Sequence, residues 1–191
     1  MEIKRLIVGA LLTNCYLLIS KNEPRSRETS LRGESAVVDP GGGAKEILKE
    51  IKNAKLNLKY IILTHSHIDH TFSALKIKQK TGAKILIHKE EKDFVKFGVD
   101  RFLKDKEKVK IGEDSLEVIH TPGHTKGSIC LKGDNFIFTG DSIFKDGYGR
   151  TDLPGGSQDE LKQSLKKLGK FFKTGMIIYP GHGEVFKIEK R

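Results

Sequence analysis

The sequence predicts an α/β fold in which two mixed β-sheets pack face to face with helices on the outside, an αββα sandwich. Three observations predict it. Short apolar runs rich in β-branched residues recur along the whole chain. Both halves carry such runs, and each half contains or is followed by a segment with helical spacing of its apolar residues. No linker divides the chain and no fixed-period repeat is present, so residues 1–191 are expected to form a single domain.

The elements follow in order. Residues 3–8 and 15–20 read as strands. Residues 21–33 are polar and charged and read as a hairpin loop. Residues 36–39 resume a strand that stops at Pro40 and the glycines after it, a tight turn. Over 44–54, Ile47, Leu48 and Ile51 fall at helical spacing. Residues 58–63 form a continuous apolar run around Tyr60, as in a strand buried on both faces. A helix is expected over 72–80, ending at Gly82, then a strand over 84–88 and a helix over 90–97. The stretch 98–110 carries no clear pattern. Short strands are expected at 116–120, 128–131 and 136–139, followed by a glycine-rich loop over 141–156. Ser157, with Glu160 three residues on, has the form of a helix N-cap and capping box. Leu161, Leu165 and Leu168 give that helix an apolar stripe. The last strand, 176–179, ends at Pro180-Gly181-His182-Gly183.

Composition narrows the function. Lys and Arg total 35 against 25 Asp and Glu, a net charge of +10. The basic residues are mixed with acids, and no RNA-binding motif or aromatic ladder accompanies them. They read as solvated surface that also attracts an anionic small substrate, and no nucleic-acid partner is expected. Abundant Lys and Glu with little Gln or Asn is a compositional trait of thermophiles. No run of about 18 apolar residues is present, so no membrane span is expected. Thr13 and Asn14 break the N-terminal apolar run, which reads as strands rather than a signal peptide. Cys15 and Cys130 stand far apart in no metal-binding spacing. They are expected to be buried free thiols, and a cytoplasmic location follows.

The chemistry concentrates in Thr64-His65-Ser66-His67-Ile68-Asp69-His70, on the loop leaving a buried strand. Imidazole and carboxylate donors suit zinc, iron or manganese. In an extended chain, His65 and His67 share a face. Asp69 and His70 follow directly, and a turn would send them to a second ion. His124, Asp141 and His182 each lie just after an apolar strand, beside a glycine that allows a sharp turn and close approach. Together they place ligand-type side chains at one edge of the sheets. His88 reads as structural, and His120 as packed near the site without ligating. Thr64, Thr125 and Ser142 are candidates for orienting the imidazoles. No serine sits in a G-x-S-x-G setting, so a serine nucleophile is not expected.

The motifs THSHIDH, TPGHT, TGDS and PGH, in this order from about Asn14 to His182, resemble the metallo-β-lactamase superfamily. That resemblance implies an αββα sandwich with two divalent metal ions at one edge, zinc first, with iron or manganese as alternatives. It implies His65, His67 and His124 as ligands of the first ion and Asp69, His70 and His182 as ligands of the second. Asp141 would bridge both, and Asp69 and Asp141 would be the catalytic carboxylates. The segment from Gly149 to Gly156, GRTDLPGG, is similar to small glyoxalase II-like hydrolases. There Arg150 would contact the substrate, an anionic thioester; the other reading of Arg150 is a pair with Asp152 that holds the loop. Only residues 185–191 follow the His182 motif, so no counterpart of the C-terminal helical domain of animal and plant glyoxalase II is expected. Asp141 stands where β-lactamases of the cysteine type carry that thiol, which argues against a β-lactamase.

The resemblance therefore implies a metal-dependent hydrolase in which a metal-activated water attacks an acyl thioester such as S-lactoylglutathione. Alternatives are a mononuclear iron persulfide dioxygenase, a lactonase or phosphodiesterase, and a non-catalytic metal-binding module.

Overall fold

The computed structural model describes residues 1–20 and 32–190. In chain order the elements are β1 (Glu2–Val8), β2 (Thr13–Ile19), β3 (Arg32–Val38), α1 (Ala44–Asn53), β4 (Leu56–Ile62), α2 (Ile68–Thr71), α3 (Ala74–Thr81), β5 (Lys84–His88), β6 (Arg101–Leu103), β7 (Lys108–Ile111), β8 (Asp114–His120), β9 (Ile129–Lys132), β10 (Phe136–Gly140), α4 (Gln158–Gly169), β11 (Ile177–Pro180) and β12 (Phe186–Lys187). Two six-stranded sheets result, ordered β1-β2-β3-β4-β5-β6 and β12-β11-β10-β9-β8-β7. Both are mixed: β3 to β6 run parallel in the first sheet, and β10 and β11 run parallel in the second.

Strand periodicity explains the layering. In β2, Tyr16 and Leu18 face the second sheet, where they join Ala36, Val38, Ile62 and Leu86 against Leu116, Val118, Leu131 and Phe138. Their alternates Cys15 and Leu17 face outward, under Ile47 and Ile51 of α1 and Ile77 of α3. Ile119, Cys130, Ile137 and Ile178 of the second sheet meet Leu168 of α4 on its outer face. Strands buried on both faces read as continuous apolar runs, as the sequence of β4 does.

Some boundaries differ from expectation. The hairpin loop expected over 21–33 lies outside the described residues, except that Arg32 and Gly33 open β3. Residues 90–97 do not form a helix. A short 3-10 turn, Lys89–Glu91, is followed by irregular turns. Glu91 is drawn wholly inside, and Val95, Phe97 and Val99 lean onto the outer core, which breaks helical spacing. Strands β6, β7 and β12 are short and came without a sequence signal. In α4 the Ser157 hydroxyl accepts from the Glu160 amide, as expected of the cap. Leu165 is only partly covered, while Ser164 is buried and donates to the Pro122 carbonyl at 2.7 Å. No helix among the described residues is long and apolar enough to cross a membrane.

The edge at which β3, β4, β8, β10 and β11 end is stitched across the sheets. The Ile129 amide donates to the Thr64 carbonyl, and the Asn14 amide to the Gly181 carbonyl. The Tyr16 hydroxyl donates to the Pro180 carbonyl at 2.6 Å. Such buried bonds between sheets fix the strand ends relative to one another, as a precise site requires.

Candidate metal centre

Five of the seven candidate ligands sit past a strand end, and Asp69 and His70 lie on α2. His65 and His67 follow β4, His124 follows β8, Asp141 follows β10 and His182 follows β11. At His67 the backbone is still extended, and α2 then turns Asp69 and His70 in another direction. Gly140 takes a left-handed φ of 47° to start the turn to Asp141. At Gly181 a Cβ would lie 2.2 Å from Asp141 Oδ1, so only glycine lets this backbone pass the carboxylate.

The result brings all seven residues together. Donor atoms of His65, His67 and His124 lie within 4.8 Å of one another, as do those of Asp69, His70 and His182. Asp141 reaches both groups: Oδ1 is 3.3 Å from His70 Nε2, and Oδ2 is 3.6 Å from both His124 Nε2 and His182 Nε2.

Outer partners determine which ring nitrogens face inward. His124 Nδ1 lies 2.7 Å from the Arg150 carbonyl, and His182 Nδ1 lies 3.1 Å from the Leu11 carbonyl. A carbonyl only accepts, so both Nδ1 atoms carry a proton, and in the neutral ring Nε2 is then the lone-pair nitrogen. The Thr64 hydroxyl donates to Asp39 Oδ2 at 2.7 Å and so accepts from His65 Nδ1 at 3.1 Å. His70 Nδ1 lies 2.9 Å from the same Asp39 oxygen, an ion-pair contact without hydrogen-bond alignment. The inward nitrogens then crowd one another. His124 Nε2 is 2.9 Å from His67 Nδ1, and His70 Nε2 is 3.2 Å from His182 Nε2. His65 Nε2 and Asp141 Oδ1 are buried without a hydrogen-bond partner.

Electrostatics point the same way. Burial pushes the His65 imidazole well below its ordinary pKa, and neighbouring imidazoles add to this. Burial and then His124 lower His67. Both rings stay neutral and able to donate lone pairs. Burial would raise the Asp69 carboxyl, but the hydrogen bond from His182 and the charge of His70 hold it at about 2. Burial also acts upward on Asp141, and His70 outweighs it, keeping that carboxyl below the usual range. For His70, burial acts downward, yet Asp39 and Asp141 raise it to about 10. The hydrogen bond to Asp69 raises His182. Ionised carboxylates around converging lone pairs favour a cation at this point, whether proton or metal ion. Orphaned donor atoms and an all-imidazole and carboxylate donor set fit a pair of divalent ions.

Two carboxylates emerge here that the motif reading missed. Asp39, at the end of β3, is buried at a left-handed φ of 51° and holds both Thr64 and His70. Glu91, fully buried, accepts from the Ser66 amide at 3.0 Å, the Thr125 hydroxyl at 2.6 Å and the Gly127 amide at 2.6 Å. It ties the loop bearing His65 and His67 to the loop bearing His124. Thr125 therefore acts through Glu91, and Ser142 contacts Thr121 rather than a ligand. Only Thr64, of the three residues expected to orient imidazoles, touches one. His88 and His120 stack on each other at 4.1 Å and join none of the candidate ligand groups. The Arg150 guanidinium makes a two-point pair with Asp152, and the residue meets the site through its carbonyl.

The family model described as the metallo-β-lactamase superfamily matches residues 8–182. The chain belongs to that superfamily. Its members are mostly metal-dependent hydrolases. Hydroxyacylglutathione hydrolase GloC of Haemophilus influenzae is 33% identical, over 100% of this chain and 96% of that protein. Among solved structures, the BLEG-1 B3 metallo-β-lactamase superposes with a TM-score of 0.86 at 25% identity, covering 97% of this chain and 94% of that one. A di-iron-bound form of TTHA1623 superposes with a TM-score of 0.82 at 23% identity over 96% and 94%, a likeness of fold.

Proposed function

We propose that this superfamily member hydrolyses acyl thioesters at a dinuclear metal site. The observation that carries the reading is Asp141, whose two oxygens reach both triads of donors. The likeness to GloC, at 33% identity over the whole chain, supports a thioester over other acyl substrates. His65, His67 and His124 would hold the first ion, Asp69, His70 and His182 the second, and Asp141 both.

Bound there, two divalent ions supply Lewis acidity, which brings the pKa of water from 15.7 toward ~7 and polarises a carbonyl. The chain's own residues do the rest. Asp69 and Asp141 are the catalytic carboxylates in this reading. Both stay ionised, so both accept a hydrogen bond from the attacking water and orient its lone pair. Thr13, which donates to Asp69 Oδ2 at 3.3 Å, holds that carboxylate in place. Asp39, Thr64 and the carbonyls of Arg150 and Leu11 keep His65, His70, His124 and His182 in the ligating tautomer. Arg150 offers its remaining guanidinium donors to an anionic group of the substrate, with Asp152 fixing its plane. The net charge of +10 favours such substrates. Two buried thiols, Cys15 and Cys130, suit a reducing cytoplasm.

The test is turnover by protein of measured zinc, iron and manganese content. S-lactoylglutathione and other acyl thioesters form one arm. A β-lactam, a lactone and a phosphodiester form the second, and oxygen uptake with glutathione persulfide forms the third. Thioester hydrolysis that scales with bound metal supports the reading. Turnover confined to the second or third arm replaces it.

A further inference from the structure

The surface of this protein is strongly charged, yet five of its exposed large apolar side chains belong to segments that border the candidate metal centre. Leu11 and Leu12 are 65% and 66% exposed, Ile68 and Phe72 are 68% and 71%, and Tyr148 is 60%. Scattered exposed leucines need no explanation, but several segments converging on one mouth do.

Contacts place each segment at that mouth. Leu11 and Leu12 form the turn between β1 and β2. The Leu11 carbonyl receives His182 Nδ1, and the next hydroxyl along, Thr13, reaches Asp69. Leu12 is held at a left-handed φ of 54°, a conformation that costs a non-glycine residue about 1 kcal/mol or more. Ile68 and Phe72 bracket Asp69 and His70 on α2. The Phe72 amide donates to the Ile68 carbonyl, so the two side chains lie one turn apart on one face. Phe144 meets the His182 ring edge-on at 6.2 Å and shares with Tyr148 a cavity of about 370 Å³ against His182, whose outer wall also carries Asp146 and the Lys145–Glu184 ion pair.

We infer that this rim binds a hydrocarbon acyl group, so that the preferred substrates are thioesters of acids several carbons long rather than short hydroxyacyl thioesters. The inference rests on the thioester reading. A carbonyl held among the ligands would direct its acyl substituent outward, past Phe144 and Tyr148 in the cavity against His182 and toward the segments that carry Leu12 and Phe72. A short polar acyl group leaves those side chains in water, whereas an alkyl chain removes apolar surface on both sides.

The experiment measures kcat/KM of metal-loaded protein for acetyl, butyryl and octanoyl thioesters of glutathione, beside S-lactoylglutathione. Each added methylene, about half covered on an open rim, is expected to raise kcat/KM by about twofold. Leu12→Ser and Phe72→Ser are expected to lower the octanoyl-to-acetyl ratio by about tenfold, while Phe102→Ser, an exposed aromatic on β6, keeps it. The ratio is internal to each variant and does not move with partial misfolding. A flat chain-length series, or ratios unchanged in both rim variants, overturns the inference and leaves thioester hydrolysis standing. Absence of all thioester turnover removes the underlying reading and the inference with it. Light scattering that shows a dimer dissolved by Phe72→Ser, with a flat series, assigns the rim to a second copy of the chain and also overturns it.

Discussion

The Thr64 hydroxyl donates to Asp39 Oδ2 at 2.7 Å, and this bond decides which nitrogen of His65 faces the site. With its proton committed to Asp39, Thr64 is able only to accept from His65 Nδ1, leaving Nε2 as the inward lone pair. The same carboxylate oxygen faces His70 Nδ1 at 2.9 Å, so one aspartate bears on candidate donors of both triads. Asp39→Asn places an amide where both partners need an acceptor. It is expected to weaken metal affinity by about 10–100-fold, the usual effect of losing such a partner. Competition with a chromophoric chelator measures this, and unchanged affinity contradicts the assignment.

Glu91 joins two loops that carry candidate ligands, and its substitution tests whether the join matters. Glu91→Gln replaces one accepting oxygen by an NH2 group facing an N–H or O–H donor. The loss of a buried, charge-assisted bond is expected to cost about 1.5–3 kcal/mol in urea unfolding. Metal retention should fall with it, since His65 and His67 are no longer held against His124.

The candidate ligands were legible because His65, His67, Asp69 and His70 crowd one motif, and His124, Asp141 and His182 each follow an apolar strand beside a glycine. Asp39 also follows an apolar strand, in Val38-Asp39-Pro40-Gly41, but its neighbour is Pro40 rather than glycine and it stands apart from the histidine motifs. Glu91 gave no signal. It sits in a charged stretch, Lys89-Glu90-Glu91-Lys92, and only the fold shows that one of those charges is wholly buried. Strands β6, β7 and β12 are too short for periodicity to register, and they exist because neighbouring strands supply their bonds. The two readings of Arg150 stood level in the sequence. The pair with Asp152 is what forms, since two residues apart the fork of the guanidinium meets both carboxylate oxygens.

Stability and metal binding should separate in the core between the sheets. Leu116, fully buried on β8, packs there with Val109, Val118 and Leu131. Leu116→Ala is expected to cost about 3 kcal/mol through lost burial and the cavity it leaves. Metal per folded chain, from elemental analysis of the purified variant, should stay at the parent value.

Asp105 supplies an acid-sensitive term. Burial acts upward on its carboxyl, but the His120 amide at 2.7 Å and Lys167 at 3.0 Å outweigh it and lower the pKa. A depressed folded pKa contributes stability above the unfolded value of about 3.9 and loses it as pH falls through the folded value. Asp105→Asn should therefore destabilise near neutrality by at most about 1 kcal/mol, given partial exposure and screening. It should also flatten the acid limb of urea midpoints below about pH 4.

The central claim is that Asp141 joins two triads into one dinuclear centre. Its direct test is metal content per chain in the parent protein, His67→Ala and Asp141→Asn, each purified without chelator and confirmed folded by circular dichroism. The account predicts two equivalents in the parent and loss of most metal and most hydrolysis in both variants. Two equivalents retained by both variants would contradict it.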